Sequence, residues 1–196
     1  MFQQIDTIQE EIRLRNVAEN RIIDVDSPFT RESVQRWLYY LNWIIQQDKE
    51  DNIDPLTALP ITFRICSEGG EALSALHLCS IIEMYQAEGW RIDTEVAGYA
   101  FSAGALLLVY GTKRTAYKTS SIMFHQHNQM FNGVLTFKDQ RDEFRESEKL
   151  WKQLKGIICS KTLIKSSKME DVMRTNTDWF LSPSEALQYG VIDEII

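Results

Sequence analysis

Short apolar runs alternate with longer segments of helical periodicity along this chain, and this alternation constrains the fold more than any other feature. The predicted order is a strand over 21–25, a helix from 30 through the apolar stripe that ends at Ile45, a strand over 61–66, a helix over 72–86 and a strand over 91–97. Residues 47–60, acidic and with two prolines, are predicted to be a loop. Strands that alternate with helices imply right-handed crossover connections, so the sequence predicts an α/β fold.

The second half of the chain continues this pattern with shorter elements. We predict a buried helix over 103–109, strands near 115–117 and 122–125, a helix over 183–189 between Ser182 and Gly190, and a final strand through Ile196. Residues 137–163 are long and heavily charged, with a sparse apolar stripe of Phe144, Trp151, Leu154 and Ile158. Such a pattern is more typical of a projecting helix than of a core helix.

Composition places the chain among ordinary globular proteins. At 196 residues we expect one domain, 1–196, that begins with a helical segment over 1–20. The net charge of -7 and the lack of a Lys/Arg stripe argue against nucleic acid as a partner. No apolar run reaches the roughly 20 residues that cross a bilayer, and three unpaired cysteines are typical of reduced thiols. We therefore expect a cytoplasmic protein that does not bind a membrane.

A run of small residues around Ser102 gives the first indication of chemistry. The sequence GYAFSAGA at 98–105 predicts a turn that delivers Ser102 to the start of the buried helix, as its N-cap. An oxyanion beside Ser102 would be stabilised there by the free N–H groups of the first turn. The alternative is a capping serine without chemistry. The preceding glycine lies four residues back, so this is not the Gly-x-Ser-x-Gly elbow of α/β-hydrolases.

A glycine pair at 69–70 follows the strand over 61–66. These glycines allow a close backbone approach, and the Gly70 N–H could point at a substrate carbonyl, although a plain strand-to-helix turn would look the same. The chain has neither a dinucleotide fingerprint nor a P-loop, so we expect it to bind no nucleotide cofactor.

Two further residues have the chemistry that a nucleophilic serine needs. His125, at the end of a predicted strand, can take a proton from serine and return it to a leaving amine. Asp178, in a polar turn before the last helix, can accept the second imidazole N–H. Each could instead be structural. A His-x-His metal site with His127 is disfavoured because two ligands are too few, so we predict no metal.

Four segments together resemble, in order and spacing, the proteolytic subunit of Clp proteases, the ClpP family. They are SEGG at 67–70, GYAFSAGA at 98–105, IMFHQ at 122–126, and DWFLS at 178–182 followed by EA at 185–186 and YGVID at 189–193. The resemblance covers residues 15 to 196, and the order Ser, His, Asp differs from that of chymotrypsin, subtilisin and α/β-hydrolases.

This resemblance implies a fold and an activity. The fold would be a crotonase-like ββα spiral whose handle, over 126–163, joins two rings of seven subunits into a chamber. The activity would be that of a serine endopeptidase with the triad Ser102, His125 and Asp178, working without a cofactor of its own. Its partner would be an AAA+ unfoldase that consumes ATP.

The resemblance also assigns the contacts to substrate. Oxyanion donors would be the backbone N–H groups of Gly70 and Ala103. A peptide would add as a strand between the segment after Gly70 and the segment after His125, with Gly69, Glu71 and His127 as binding residues.

The chain departs from the family pattern at several positions. Glu68 and His127 stand where the family usually has proline, and Thr62 and Arg64 stand where it often has tyrosines that dock the unfoldase. Three alternatives stay open: a phage ClpP-like protease for capsid maturation or scaffold removal, a catalytically silent ring subunit, and an acyl-CoA-handling crotonase relative.

Overall fold

The strands of the computed structural model form one sheet within the described residues, which are 12–126, 136–175 and 177–196. The strands are β1 Ile22–Val25, β2 Ile61–Ser67, β3 Ile92–Phe101, β4 Arg114–Ala116, β5 Ser121–Phe124, β6 Trp179–Leu181 and β7 Glu194–Ile195. The helices are α1 Arg31–Glu50, α2 Ala72–Ala87, α3 Ala103–Leu108, α4 Phe137–Lys161, α5 Ser166–Thr175 and α6 Pro183–Gln188, and Asn16–Asn20 is π-helical. The predicted segment 1–20 lies mostly outside the described residues.

The sheet divides at its longest strand, β3. Strands β1, β2 and β3 are parallel, and residues 94–96 of β3 continue the sheet through β4 to β7. Residues 99–101 of β3 pair instead with β5, which pairs antiparallel with β6. The architecture is therefore mixed α/β with a largely parallel sheet, which confirms the predicted class. Because β3 belongs to both branches, its end lies where they meet.

One face of the sheet carries the core. Along β2, Ile61, Phe63 and Ile65 are fully buried, while the residues between them are partly exposed. Helix α3 contacts β2 and β3, and α2 contacts α1 and α3. Only one side of helix α2 is buried, and Leu73 is 71% exposed.

Helix α1 continues to Glu50, so the predicted loop 47–60 starts later than expected. The side chain of Asp48 is buried at 6% exposure and accepts two hydrogen bonds from Arg21, of 2.8 and 2.6 Å. This ion pair joins the last turn of the helix to the chain before β1. Because Arg21 and Asp48 lie 27 positions apart in the sequence, the acidic segment 47–60 by itself gave no sign that the helix extends into it.

Three other elements differ from the prediction. Strand β3 extends to Phe101, so Gly98 lies within a strand and not in a turn, because β5 supplies a partner for 99–101. Strand β6 forms where a turn was expected, again through β5. Helix α5 was not predicted; it buries only Met169 and Val172, too few apolar positions for a clear periodic signal.

Helix α4 packs on the core through its second half. Trp151, Leu154 and Ile158 are buried, whereas Phe144 is 63% exposed and Phe137 is 82% exposed. The predicted apolar stripe therefore contacts the core only after its first member. No helix among the described residues has the length and apolar character that a membrane crossing requires.

Candidate active site

Ser102 is the single residue between β3 and α3, and its backbone is strained. Its φ of 54° and ψ of -113° lie in a region that residues with a side chain rarely adopt. Its N–H donates to the carbonyl of Met123 at 2.9 Å, which fixes the turn to β5. The predicted N-cap position is correct, but the Ser102 side chain caps no helix N–H. The sharp turn instead leaves the Oγ free for another partner.

That partner is His125, which follows β5 directly. The Nε2 atom of His125 lies 2.7 Å from the Oγ of Ser102. The register of the sheet explains the contact, because Phe101 at the end of β3 pairs with Met123 of β5. The turn at Ser102 then directs the hydroxyl towards the chain that leaves β5. Two residues 23 positions apart in sequence thus have the contact that a nucleophile and its general base need.

Asp178 is brought to the other side of the imidazole by the next strand pairing. Phe124 pairs with Trp179 in the antiparallel β5–β6 ladder. The next residues on the two chains, His125 and Asp178, therefore lie opposite each other. The Nδ1 of His125 lies 3.9 Å from Oδ1 of Asp178, whose side chain is 57% exposed. This distance is too long for a hydrogen bond. Two other aspartates of the second half of the chain have different partners: Asp193 accepts hydrogen bonds from Arg114, and Asp171 accepts one from Arg174.

The two glycines after β2 are required by close backbone contacts. A Cβ on Gly69, at φ 104°, would lie 2.7 Å from the Cβ of Ser102. A Cβ on Gly70, at φ 144°, would lie 2.4 Å from the carbonyl oxygen of Phe29. A side chain at position 69 would push the segment away from Ser102, and a side chain at position 70 would push it away from Phe29.

The edge of this segment that faces Phe29 is already hydrogen-bonded. The Phe29 N–H donates to the Gly69 carbonyl at 2.8 Å, and the Glu71 N–H donates to the Phe29 carbonyl at 2.7 Å. The polar groups of a strand alternate between its two edges, so Gly70 faces the opposite side. Its N–H, like that of Ala103, donates to no residue that the structure describes. These are the two predicted oxyanion donors.

Ser67 anchors the glycine segment, a role that the sequence motif alone did not suggest. Its buried hydroxyl donates to the carbonyl of Ser27 at 2.9 Å and accepts from the Gly69 N–H at 3.2 Å. A Cβ on Gly104 would lie 3.2 Å from the Ser67 carbonyl, so α3 packs tightly on this point. Ser67 therefore holds Gly69 in place beside Ser102.

A cleft of about 300 Å³ opens beside these groups. Ser102, Ala103, His125 and Gly70 line one part of it. The apolar part is formed by side chains that include Leu106, Met123, Trp151, Leu154 and Ile158. Glu68 also lines the cleft, and sequence reasoning gave it no contact there. His127, predicted to bind substrate, lies outside the described residues.

Burial makes two of the three thiols poor nucleophiles. Burial raises the pKa of the Cys79 thiol far above its ordinary value, and burial also raises the pKa of Cys159. Within 12–126, 136–175 and 177–196, no three His, Cys, Asp or Glu side chains form a metal-binding group. The polar groups of the described cleft lining are thus the side chains of Ser102, His125 and Glu68, beside the free amides of Gly70 and Ala103.

Comparison with known proteins agrees with the geometry. The family model described as Clp protease matches residues 8–196. The chain belongs to the Clp protease family. A relative from Deinococcus radiodurans, named ATP-dependent Clp protease proteolytic subunit, is 30% identical over 181 residues, which is 91% of this chain and 81% of that protein. The resemblance predicted from the four motifs is therefore confirmed.

Proposed function

We propose that this Clp family chain is a serine endopeptidase with Ser102 as nucleophile, His125 as general base and Asp178 as the residue that orients the imidazole. The 2.7 Å contact between Ser102 Oγ and His125 Nε2 carries this proposal. A hydroxyl held on a strained turn against an imidazole, at the mouth of an apolar cleft, is the arrangement that acyl transfer needs.

The reaction proceeds in two stages. His125 takes the proton from Ser102 as Oγ attacks the substrate carbonyl, and the N–H groups of Gly70 and Ala103 stabilise the resulting oxyanion. His125 then gives its proton to the departing amine as the peptide C–N bond breaks, which leaves an acyl-enzyme. Water, deprotonated by His125, attacks the ester, and collapse of the second intermediate returns the proton to Ser102.

Asp178 has to approach His125 for full activity. A movement of about 1 Å would bring its carboxylate within hydrogen-bond reach of Nδ1. Catalytic hydrogen bonds are often long before substrate binds and shorten in the complex. The exposed side chain of Asp178 has room for this movement.

Assembly forms a second part of the proposal. Residues 1–196 form one peptidase domain with a crotonase-like ββα spiral, and the handle over 126–163 joins two rings of seven subunits. Large apolar side chains stay exposed on the single chain, among them Leu56, Leu59, Leu73, Phe137 and Phe144. Exposed apolar side chains are stabilised when a partner covers them and removes them from water, so these positions are where we expect subunits to meet. A second copy of the chain is the partner that we propose.

An AAA+ unfoldase would supply unfolded chains and hydrolyse ATP, while this chain uses no cofactor itself. The name of the Deinococcus radiodurans relative, which contains "ATP-dependent", supports this part. Strand β2, which would contact the unfoldase, is altered here. Arg64 stands where the family often has a tyrosine, and it forms an ion pair with Asp24 at 2.7 Å.

The 3.9 Å distance between His125 and Asp178 favours one other candidate function, that of a ring subunit that assembles but does not cleave.

An activity probe separates the peptidase from the silent ring subunit. We expect a fluorophosphonate to label Ser102 in the wild type and in Ser80→Ala, a control serine that is exposed on α2, but not in Ser102→Ala. An assembled protein that takes no label would support the silent subunit. Light scattering coupled to size exclusion measures the assembly itself.

A further inference from the structure

Glu68 brings an uncompensated negative charge to the cleft. Its side chain is exposed and lines the same cleft as Ser102 and His125. Within the described part of the chain it has no hydrogen-bond or ion-pair partner. The neighbouring Glu71 differs, because its carboxylate accepts a hydrogen bond of 2.7 Å from Ser74. Glu68 is thus the carboxylate that is available to a ligand in the cleft.

Nothing else in the described cleft lining balances this charge. No Lys or Arg is among the described residues that form it, and most of the wall is apolar. A charge beside low-dielectric walls acts more strongly on a ligand than the same charge on an open surface. The cleft therefore favours a cationic group close to the scissile bond.

The position of Glu68 along the chain indicates which side of that bond the cation occupies. On the proposed function, Gly70 binds the carbonyl that is attacked, and the acyl part of the substrate runs along the segment after Gly70. Glu68 precedes Gly70 by two residues, which is about 6 to 7 Å of extended chain. It therefore lies towards the leaving-group side, within the reach of a long side chain.

We infer that Glu68 selects substrates with Lys or Arg at the first or second position after the scissile bond. This inference rests on the proposed serine peptidase activity and adds a substrate preference to it. The carboxylate would pair with the ammonium or guanidinium group in a partly enclosed site. We expect a preference of about five-fold in kcat/KM, the size of a partly exposed ion pair.

Matched peptides test the inference. Each pair carries arginine or its neutral isostere citrulline at one position, placed one or two residues before or after the bond. The kcat/KM ratio of arginine to citrulline is measured for the wild type, for Glu68→Gln and for the control Glu88→Gln, an exposed glutamate that does not line the cleft. We expect a ratio of about five after the bond in the wild type and Glu88→Gln, a ratio near one in Glu68→Gln, and a fall of the wild-type ratio at high salt.

Two results would overturn the inference while the peptidase function stands: equal cleavage of both peptides by the wild type, or a ratio that Glu68→Gln leaves unchanged. A preference confined to positions before the bond would contradict the placement of Glu68. If no peptide is cleaved and Ser102 takes no fluorophosphonate, the proposed function itself fails, and the inference fails with it.

Discussion

The Nδ1 atom of His125 and the Oδ1 atom of Asp178 face each other across the β5–β6 ladder at 3.9 Å, while Nε2 of the same ring already contacts Ser102 at 2.7 Å. Ser102 and His125 are therefore already in hydrogen-bond contact, whereas Asp178 is not yet within hydrogen-bond reach of the ring. The ladder register holds Asp178 opposite His125, so the remaining adjustment belongs to one exposed side chain and not to the fold.

Asp178→Asn should lower kcat by about 10⁴, because an amide favours the wrong imidazole tautomer and cannot stabilise the imidazolium. Steady-state kinetics with a short fluorogenic peptide measures this. Asp171→Asn, on the exposed face of α5, is the control and should cleave at the wild-type rate. Wild-type turnover in Asp178→Asn would remove this residue from the mechanism.

Ser102→Ala and His125→Ala should each lower kcat by about 10⁴ or more, and the double variant should lose little further activity. Triad members act as a unit, so the replacement of one residue already removes most of the rate that the other residue contributes. Single-turnover assays on the two single variants and the double variant measure this. Additive losses would mean that the two side chains work independently.

Gly69→Ala should reduce both stability and activity. The new methyl group would lie 2.7 Å from the Ser102 Cβ at a strained φ of 104°, so the nucleophile turn has to move. We expect a kcat at least about 100-fold lower, because an error of about 1 Å in a catalytic group costs that much.

Gly156→Ala is the matched control for this glycine replacement. Gly156 is exposed within α4, and a Cβ there meets nothing within 4 Å. We expect it to raise the free energy of unfolding by about 0.5 to 1 kcal/mol with unchanged kcat. Urea unfolding of both variants gives the comparison, and equal effects would contradict the proposed close contact.

Ser67→Ala should destabilise the fold by about 1 to 3 kcal/mol, since the buried Gly69 N–H and the partly buried Ser27 carbonyl both lose their partner. We also expect a lower kcat with little change in KM, because Gly70 is then held less firmly beside Ser102. Urea denaturation and peptide kinetics measure the two effects. A variant as stable and as active as Ser80→Ala would show that the Ser67 hydroxyl is dispensable.

Asp193 should make stability depend on pH in the acid range. Burial raises the pKa of its carboxyl, but hydrogen bonds from Arg114 outweigh this and hold the pKa below its ordinary value. The stabilisation is therefore complete above the ordinary aspartate pKa of about 3.9 and is lost as pH falls through the lowered value. The difference in unfolding free energy between the wild type and Asp193→Asn should be largest near pH 7 and shrink towards pH 3. A difference that stays constant over this range would contradict the prediction.

Local patterns in the sequence were sufficient for most of the fold. Strand β2 and helix α1 follow from alternation and helical spacing, since each signal lies within a few consecutive residues. The motifs also identified the serine, histidine and aspartate as candidates. Helix α5, strand β6 and the far end of β3 were missed, because each depends on a partner that is distant in sequence or on very few buried residues.

The sequence by itself determined the α/β class, the family and the identity of the residues with catalytic chemistry. Only the tertiary structure decided how they meet: the pairing of Phe101 with Met123, the pairing of Phe124 with Trp179, and the strained turn at Ser102. The physical reason is that strand register is set by hydrogen bonds and packing between distant segments, and a shift of one residue would turn every side chain to the opposite face.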